Sequence, residues 1–173
     1  MNPILISFLN KFDELNHDQI YSLAGCLNIL QIKKNQVILR EGQRTQNHCF
    51  FVLKGCLRRF IIVDGIEKTT GIFTEEQAIN YINENEKEQI SDHYLMSLEE
   101  STLLVGNPDK DAELFDKFPE LIMITRRMME TDLIKTQKYL SDFIVSNPEE
   151  RYLNLLNNRP DLLQRVSLNY LAS

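Results

Sequence analysis

Hydrophobic positions change their period along this chain. Between residues 4 and 24 they recur at helical spacing, at Phe8, Leu9, Phe12, Leu15, Ile20 and Leu23, which predicts short amphipathic helices. Asn16-His17-Asp18 interrupts that stripe and predicts a second helix capped at Asp18. From Cys26 to Phe73 the period falls towards two. Ile29–Ile32, Gln36–Leu39, Cys49–Leu53 and Cys56–Val63 predict short strands, divided by Lys33-Lys34-Asn35, Glu41-Gly42-Gln43 and Lys54-Gly55. Asp64-Gly65, between Val63 and Ile66, is a strong hairpin signal. Residues 75–93, rich in Glu, Asn and Gln, predict a helical or irregular excursion. Leu95–Leu98 and Thr102–Gly106 return to strand, and Asn107-Pro108-Asp109 opens a helix to about Phe118, capped by Asn107 or Asp109. Strands this short and evenly spaced predict a sandwich or barrel.

The longest periodic run is Glu120 to Val145, a single amphipathic helix of roughly 40 Å. Leu121, Ile124, Met128, Leu133, Leu140 and Phe143 lie near three- and four-residue steps, while Ile122, Met129, Thr136 and Phe143 form a row seven apart. Two apolar rows imply two buried contacts, one for the β domain and one for a partner helix, so a homodimer is expected. Asn147-Pro148 ends the run. A short helix, Pro148–Asn157, follows, then Pro160-Asp161-Leu162-Leu163, and Ser167 to Ser173 looks like the first helix of a helix-turn-helix. The expected division is 1–118 sensor roll with flanking helices, 119–146 dimerisation helix, and 147–173 the start of a winged helix-turn-helix domain, incomplete here.

Bulk properties narrow the class. A chain of 173 residues, 43% hydrophobic and 25% charged, can bury a core without metals or disulfides. It has no apolar run of membrane-spanning length and no signal-peptide pattern. Cys26, Cys49 and Cys56 are an odd set without CxxC spacing and are expected to be reduced, buried thiols of a cytoplasmic protein. The net charge of −6 opposes non-specific nucleic-acid binding, but it belongs entirely to residues 1–118, and residues 119–173 balance to zero.

This order of elements, with Glu41-Gly42 and Gly55 at turns of the roll, resembles the cyclic-AMP receptor protein/FNR family of bacterial transcription regulators. Asn147-Pro148-Glu149-Glu150-Arg151-Tyr152-Leu153 and Arg159-Pro160-Asp161-Leu162-Leu163-Gln164-Arg165-Val166 are similar to a subgroup common in the Bacteroidetes. The resemblance implies an α+β fold: an N-terminal double-stranded β-roll of cyclic-nucleotide-binding type, a long dimerisation helix and a C-terminal helix-turn-helix reading DNA with its second helix. Family members that bind cyclic nucleotides hold the ligand with a Gly-Glu pair and an Arg-Ser/Thr-Ala trio. Here Asn80-Tyr81 and Ser91-Asp92-His93 stand at those places. The arginine is absent and an aspartate would repel phosphate, so neither cyclic AMP nor cyclic GMP is the expected effector.

Other chemistry is thinly represented. His17, His48 and His93 lack the clustered spacing of a cupin metal site, and the cysteines lack that of an iron–sulfur sensor. No phosphate loop, nucleophile triad or catalytic carboxylate pair stands out. Arg58-Arg59 and Arg126-Arg127 are the most basic spots, expected on solvated faces or in ion pairs. If Arg126 points toward the roll, it is positioned to meet an anionic effector.

The expected function is therefore a dimeric, non-enzymatic, cofactor-free transcription regulator with a sensor that has lost cyclic-nucleotide binding. The effector pocket would comprise Asn80, Tyr81, Ser91, Asp92, His93 and Arg126. Leu121, Ile124, Met128, Leu133, Leu140 and Phe143 would carry the dimer coupling, and Arg151, Arg165 and Asn169 would touch DNA phosphates. The alternative is a stand-alone effector-binding or interaction β-roll dimer without DNA binding.

Overall fold

The computed structural model describes residues 1–45, 49–80, 90–106 and 108–172. Two helices, α1 (Pro3–Leu9) and α2 (His17–Cys26), precede eight strands: β1 (Asn28–Ile32), β2 (Val37–Leu39), β3 (Cys49–Lys54), β4 (Leu57–Val63), β5 (Ile66–Phe73), β6 (Ala78–Asn80), β7 (Tyr94–Ser97) and β8 (Ser101–Gly106). Five helices follow: α3 (Pro108–Lys117), α4 (Glu120–Val145), α5 (Pro148–Asn158), α6 (Pro160–Arg165) and α7 (Leu168–Ala172). The strands form two antiparallel sheets, ordered β1-β8-β3-β6 and β2-β7-β4-β5.

Strand β3 shows why the roll forms. Phe50 and Val52 point between the sheets, with Ile32, Leu39, Leu57, Ile79, Leu95 and Leu103. Phe51 and Leu53 point the other way, into a second core with Leu5, Leu9 and Leu23 of the N-terminal helices and Leu121 and Ile124 of α4. Both faces are covered, so the strand reads as an unbroken apolar run instead of an alternating one. At the β4–β5 hairpin, Asp64 (φ 52°) and Gly65 (φ 77°) both take positive φ, as a two-residue turn that follows strand twist requires. Gly55 (φ 112°) is more constrained, since a Cβ there would lie 2.2 Å from Ser101 Oγ.

Several boundaries differ from the sequence-based expectation. The cap of α2 is Asn16, whose side chain accepts from Gln19 N–H while the Gln19 side chain accepts from Asn16 N–H. This reciprocal pair fixes the N-cap two residues before Asp18. Phe12 and Leu15 lie in the connector after α1. Within 75–93 a strand, β6, spans Ala78–Asn80 and pairs with β3; with three residues it is too short to show a period. Residues 81–89 and Asn107 lie outside the described residues. Cys26 is exposed at the end of α2 and Cys49 is half-buried, so only Cys56 is a buried thiol, and all three are free.

Candidate functional site

The candidate functional side chains fall in three places: the region of Asn80 and Ser91–His93, the long helix α4, and the contact between the C-terminal helices and the roll.

Ser91 is buried, and its hydroxyl donates to His93 O at 2.7 Å. His93 pairs through Nδ1 with Asp92, whose carboxyl is held below the usual carboxylate range by that contact, with the Arg59 charge adding to it. Arg59 is thus within electrostatic reach of Asp92, although 33 positions separate them in sequence; it also lies over the Phe73 ring, 5.4 Å from its centroid. Asn80 belongs to the opposite sheet, paired with Cys49. Tyr81 and His48 lie outside the described residues, and His17 is exposed beside Tyr21. Among the described residues, no group of three or more His, Cys, Asp and Glu is placed to hold a metal ion.

Helix α4 separates its two apolar rows. Leu121 and Ile124 are buried against α1, α2 and β3, with Met128 packed beside them. These three of the six proposed dimer residues therefore belong to the protein's own core. Leu133, Leu140 and Phe143 are exposed, as are Ile122 and Met129. Ile122, Arg126, Met129, Leu133, Thr136, Leu140 and Phe143 alternate four- and three-residue steps, a 3.5-residue repeat on one exposed stripe. Arg126 sits in that stripe, fully solvated and paired with Glu130 at 2.8 Å. It does not face the roll, because it falls about 140° round the helix from Leu121 at 100° per residue.

The C-terminal helices fold back onto the roll. Leu162 and Val166 bury against Cys56 and Leu98, with Ile72, Leu155, Tyr170 and Leu171 at the margin. Arg165 bridges two carboxylates: it donates to both oxygens of Glu75 at 2.9 Å and pairs with Glu99 through Nε and Nη2. Burial pushes the Glu75 carboxyl up, but Arg165 and the Gly55 N–H outweigh it and hold the group below its ordinary value. Arg159 donates to Thr74 Oγ1 at 2.9 Å. Burial also pushes the Cys56 thiol up to about 12, so it is an inert, protonated core group while the helices are docked. Of the proposed phosphate contacts, Arg165 is thus occupied by Glu75 and Glu99. Arg151 is exposed but stacks over Phe143, 3.7 Å from its centroid, and donates to Phe143 O. Asn169 is exposed.

The residue that sequence reasoning missed is Arg58. Its side chain is wholly buried. Nε donates to Thr69 Oγ1 at 2.9 Å, Nη1 pairs with Glu67, and Nη2 has no hydrogen-bond partner among the described residues. The guanidinium lies between Phe60, at 4.5 Å, and Tyr170 of α7, at 3.9 Å. A faint signal existed: Cys56, Arg58 and Phe60 share one strand face, and two of the three are apolar.

No family model matches this chain, and no curated protein matches it by sequence. Solved structures do resemble it. A CooA mutant from Carboxydothermus hydrogenoformans aligns over 90% of this chain and 97% of its own, with 13% identity and a TM-score of 0.58. The global regulator CLP of Xanthomonas campestris, described as c-di-GMP-responsive, aligns over 88% and 76%, with 12% identity and a TM-score of 0.63. The N-terminal domain of a transcriptional regulator from Streptomyces coelicolor A3(2) aligns over 82% and 97%, with 17% identity and a TM-score of 0.52. At such identities the likeness is one of fold: an α+β chain in which a cyclic-nucleotide-binding-like β-roll is followed by a long helix.

Proposed function

We propose that this protein is a cytoplasmic, dimeric transcription regulator without catalytic activity. In this reading its β-roll is the sensor, α4 couples two copies, and α5 to α7 open a DNA-binding domain. The observation that carries it is the division of labour on α4. One apolar row is spent on the sensor core, while Ile122, Met129, Leu133, Leu140 and Phe143 remain exposed on a 3.5-residue repeat. A helix built this way suits a second copy of itself and links the two sensors directly. The regulators that share the fold support the same reading, as does the similarity of Glu149-Glu150-Arg151-Tyr152 to the Bacteroidetes-type subgroup.

In this reading neither cyclic AMP nor cyclic GMP is the effector: Asp92 and His93 stand where the family resemblance would put phosphate-holding residues, and the contact with His93, with Arg59 adding to it, favours the ionised Asp92 carboxylate. Asn80, Tyr81, Ser91, Asp92 and His93 remain the proposed effector region, with Arg59 in place of Arg126. Arg151 and Asn169 remain candidate phosphate contacts, and Arg165 joins them only when Glu75 and Glu99 release it.

The test is a titration of the complete gene product against its own upstream DNA, with unrelated duplex as competitor and salt varied. Saturable, salt-sensitive binding that resists the competitor is expected. Equal affinity for both duplexes, or none for either, overturns DNA reading and favours the stand-alone β-roll dimer.

A further inference from the structure

The contact between the C-terminal helices and the roll is built less like a core than like a fastening. Helix α4 ends at Val145, its C-cap Ser146 is extended, and Asn147 caps α5 afresh through a reciprocal pair with Glu150. Two residues thus separate two independently capped helices. No residue of helix α5 is fully buried, and Leu155 is half-buried at the edge of the contact. Beyond the stacking of Arg151 on Phe143 beside that break, the segment is held mainly through the 159–171 stretch. Its fully buried apolar part is small: Leu162 and Val166 against Cys56 and Leu98. Half-buried Ile72, Leu155, Tyr170 and Leu171 rim it, and the remaining contacts are polar, with Arg165 forked between Glu75 and Glu99 and Arg159 on Thr74. Interfaces of this mixed character favour relative motion of the parts they join.

The roll's half of the contact is preorganised. Glu75 and Glu99 come from separate turns, β5–β6 and β7–β8. Glu75 is positioned by the Gly55 N–H at 2.8 Å, itself in a turn that only glycine fits. The next residue, Glu76, is held at φ 65°, a left-handed conformation that costs a non-glycine residue energy. The Gly55 N–H thus holds the Glu75 carboxylate where it meets the guanidinium, and Glu99 approaches the same group from the other turn. Closure also carries an opposing cost. Tyr170 covers Arg58, whose Nη2 has no hydrogen-bond acceptor among the described residues. Lifting α7 would let water reach that group, so part of what closing gains is returned on opening.

We propose that the Glu75–Glu99 socket and Arg165 form an intramolecular latch. The chain exchanges between this closed arrangement and an open one, pivoting at Ser146–Asn147. The occupant of the socket is the protein's own α6, and any other guanidinium-bearing partner would have to compete with it. In the closed form Arg165 is withheld from anions such as DNA phosphates; in the open form Arg165 and Cys56 are both uncovered. The latch itself does not depend on the DNA reading.

Cys56 supplies the readout. In the full chain carrying Cys26→Ser and Cys49→Ser, N-ethylmaleimide addition to Cys56 is followed by intact mass, and the urea midpoint of each variant is measured alongside. Arg165→Met is expected to speed alkylation about tenfold or more with the urea midpoint unchanged. Arg165→Glu should open the latch, and adding Glu99→Arg should restore much of the protection, which a merely structural loss would not do. Tyr170→Ala provides a second, uncharged route to the same acceleration. An alkylation rate unchanged in both Arg165→Met and Tyr170→Ala overturns the proposal. So does a rate that rises only in step with a fall in the urea midpoint, because that reports global unfolding. No DNA enters the assay, so its failure and that of promoter binding are separate results.

Discussion

Replacing Arg58 by methionine should leave the protein as stable as the native chain or more so, while Arg58→Lys and Arg58→Ala should each destabilise it. The guanidinium is wholly buried, yet its ion-pair partner Glu67 is about half exposed. Removing Arg58 therefore returns Glu67 to water at little cost, whereas the native state bears the desolvation of a full charge and one orphaned N–H. The orphan alone costs about 1–3 kcal/mol. Against this stand the Thr69 hydrogen bond, worth about 1 kcal/mol, and contacts with the Phe60 and Tyr170 faces, together about 1–2 kcal/mol. The terms nearly cancel, as they often do when a buried ion pair gives way to an apolar side chain of similar volume. Methionine fills the slot between the two rings and keeps a favourable sulfur–aromatic contact. Lysine keeps the buried charge but loses the planar fork that bonds Thr69 and stacks on both rings. Alanine leaves a void, at a cost of about 2 kcal/mol or more. Urea denaturation followed by circular dichroism should rank native and Arg58→Met within about 1 kcal/mol of each other, with Lys and Ala below both. If Arg58→Lys is the most stable of the three variants, the charge itself is what the site requires and the reasoning fails.

Two other perturbations follow from the turns at the same end of the roll. Gly55→Ala places a Cβ 2.7 Å from the Ser101 backbone at φ 112° and should lower unfolding stability by about 2 kcal/mol or more, read from the urea midpoint. Glu75 has a carboxyl pKa below its ordinary value when docked, so its contribution is complete above the ordinary carboxylate pKa and is lost as pH falls through the lowered one. Hydrogen exchange of amides 161–171 should therefore be flat in opening free energy from about pH 8 to 5 and show loosening below about pH 4, with Glu75→Gln removing most of that dependence.

The elements of this fold were legible where one face decided the period. Glu120–Val145 was readable to the residue, because Pro119 and Asn147-Pro148 bracket a strong helical stripe. The Asp64-Gly65 hairpin was equally plain, since few residue pairs tolerate two positive φ values. Strand β6 was hidden because three residues cannot display a period. The two apolar rows on α4 were visible, but not which residues each contained. Leu121, Ile124 and Met128 share the stripe logic of Leu133 and Leu140, and only the roll's extent decides where burial by the protein's own core stops. Arg58 and Arg165 were obscured for another reason. A charged side chain in sequence carries no sign of whether tertiary partners will enclose it, and Glu75, Glu99 and Tyr170 lie from 66 to 112 positions away from the residues they meet. Arg59 lies 33 positions from Asp92, and only the pairing of β4 with β7, which sets Phe60 opposite Tyr94, two residues beyond Asp92, brings them near each other.

The claim on which the functional reading turns is that the exposed row of α4 meets the same row of a second copy, parallel and in register. It is tested most directly by Leu140→Cys in the full chain with the three native cysteines replaced by serine, oxidised at low concentration and analysed on a non-reducing gel, with Lys138→Cys on the helix's other side as the control. A two-fold pair with Leu140 in its seam brings the two Leu140→Cys thiols together. Rapid, near-complete disulfide-linked dimer from Leu140→Cys and little from Lys138→Cys is the expected result. Equal cross-linking at both positions, or a monomer in sedimentation at micromolar concentration, would contradict it.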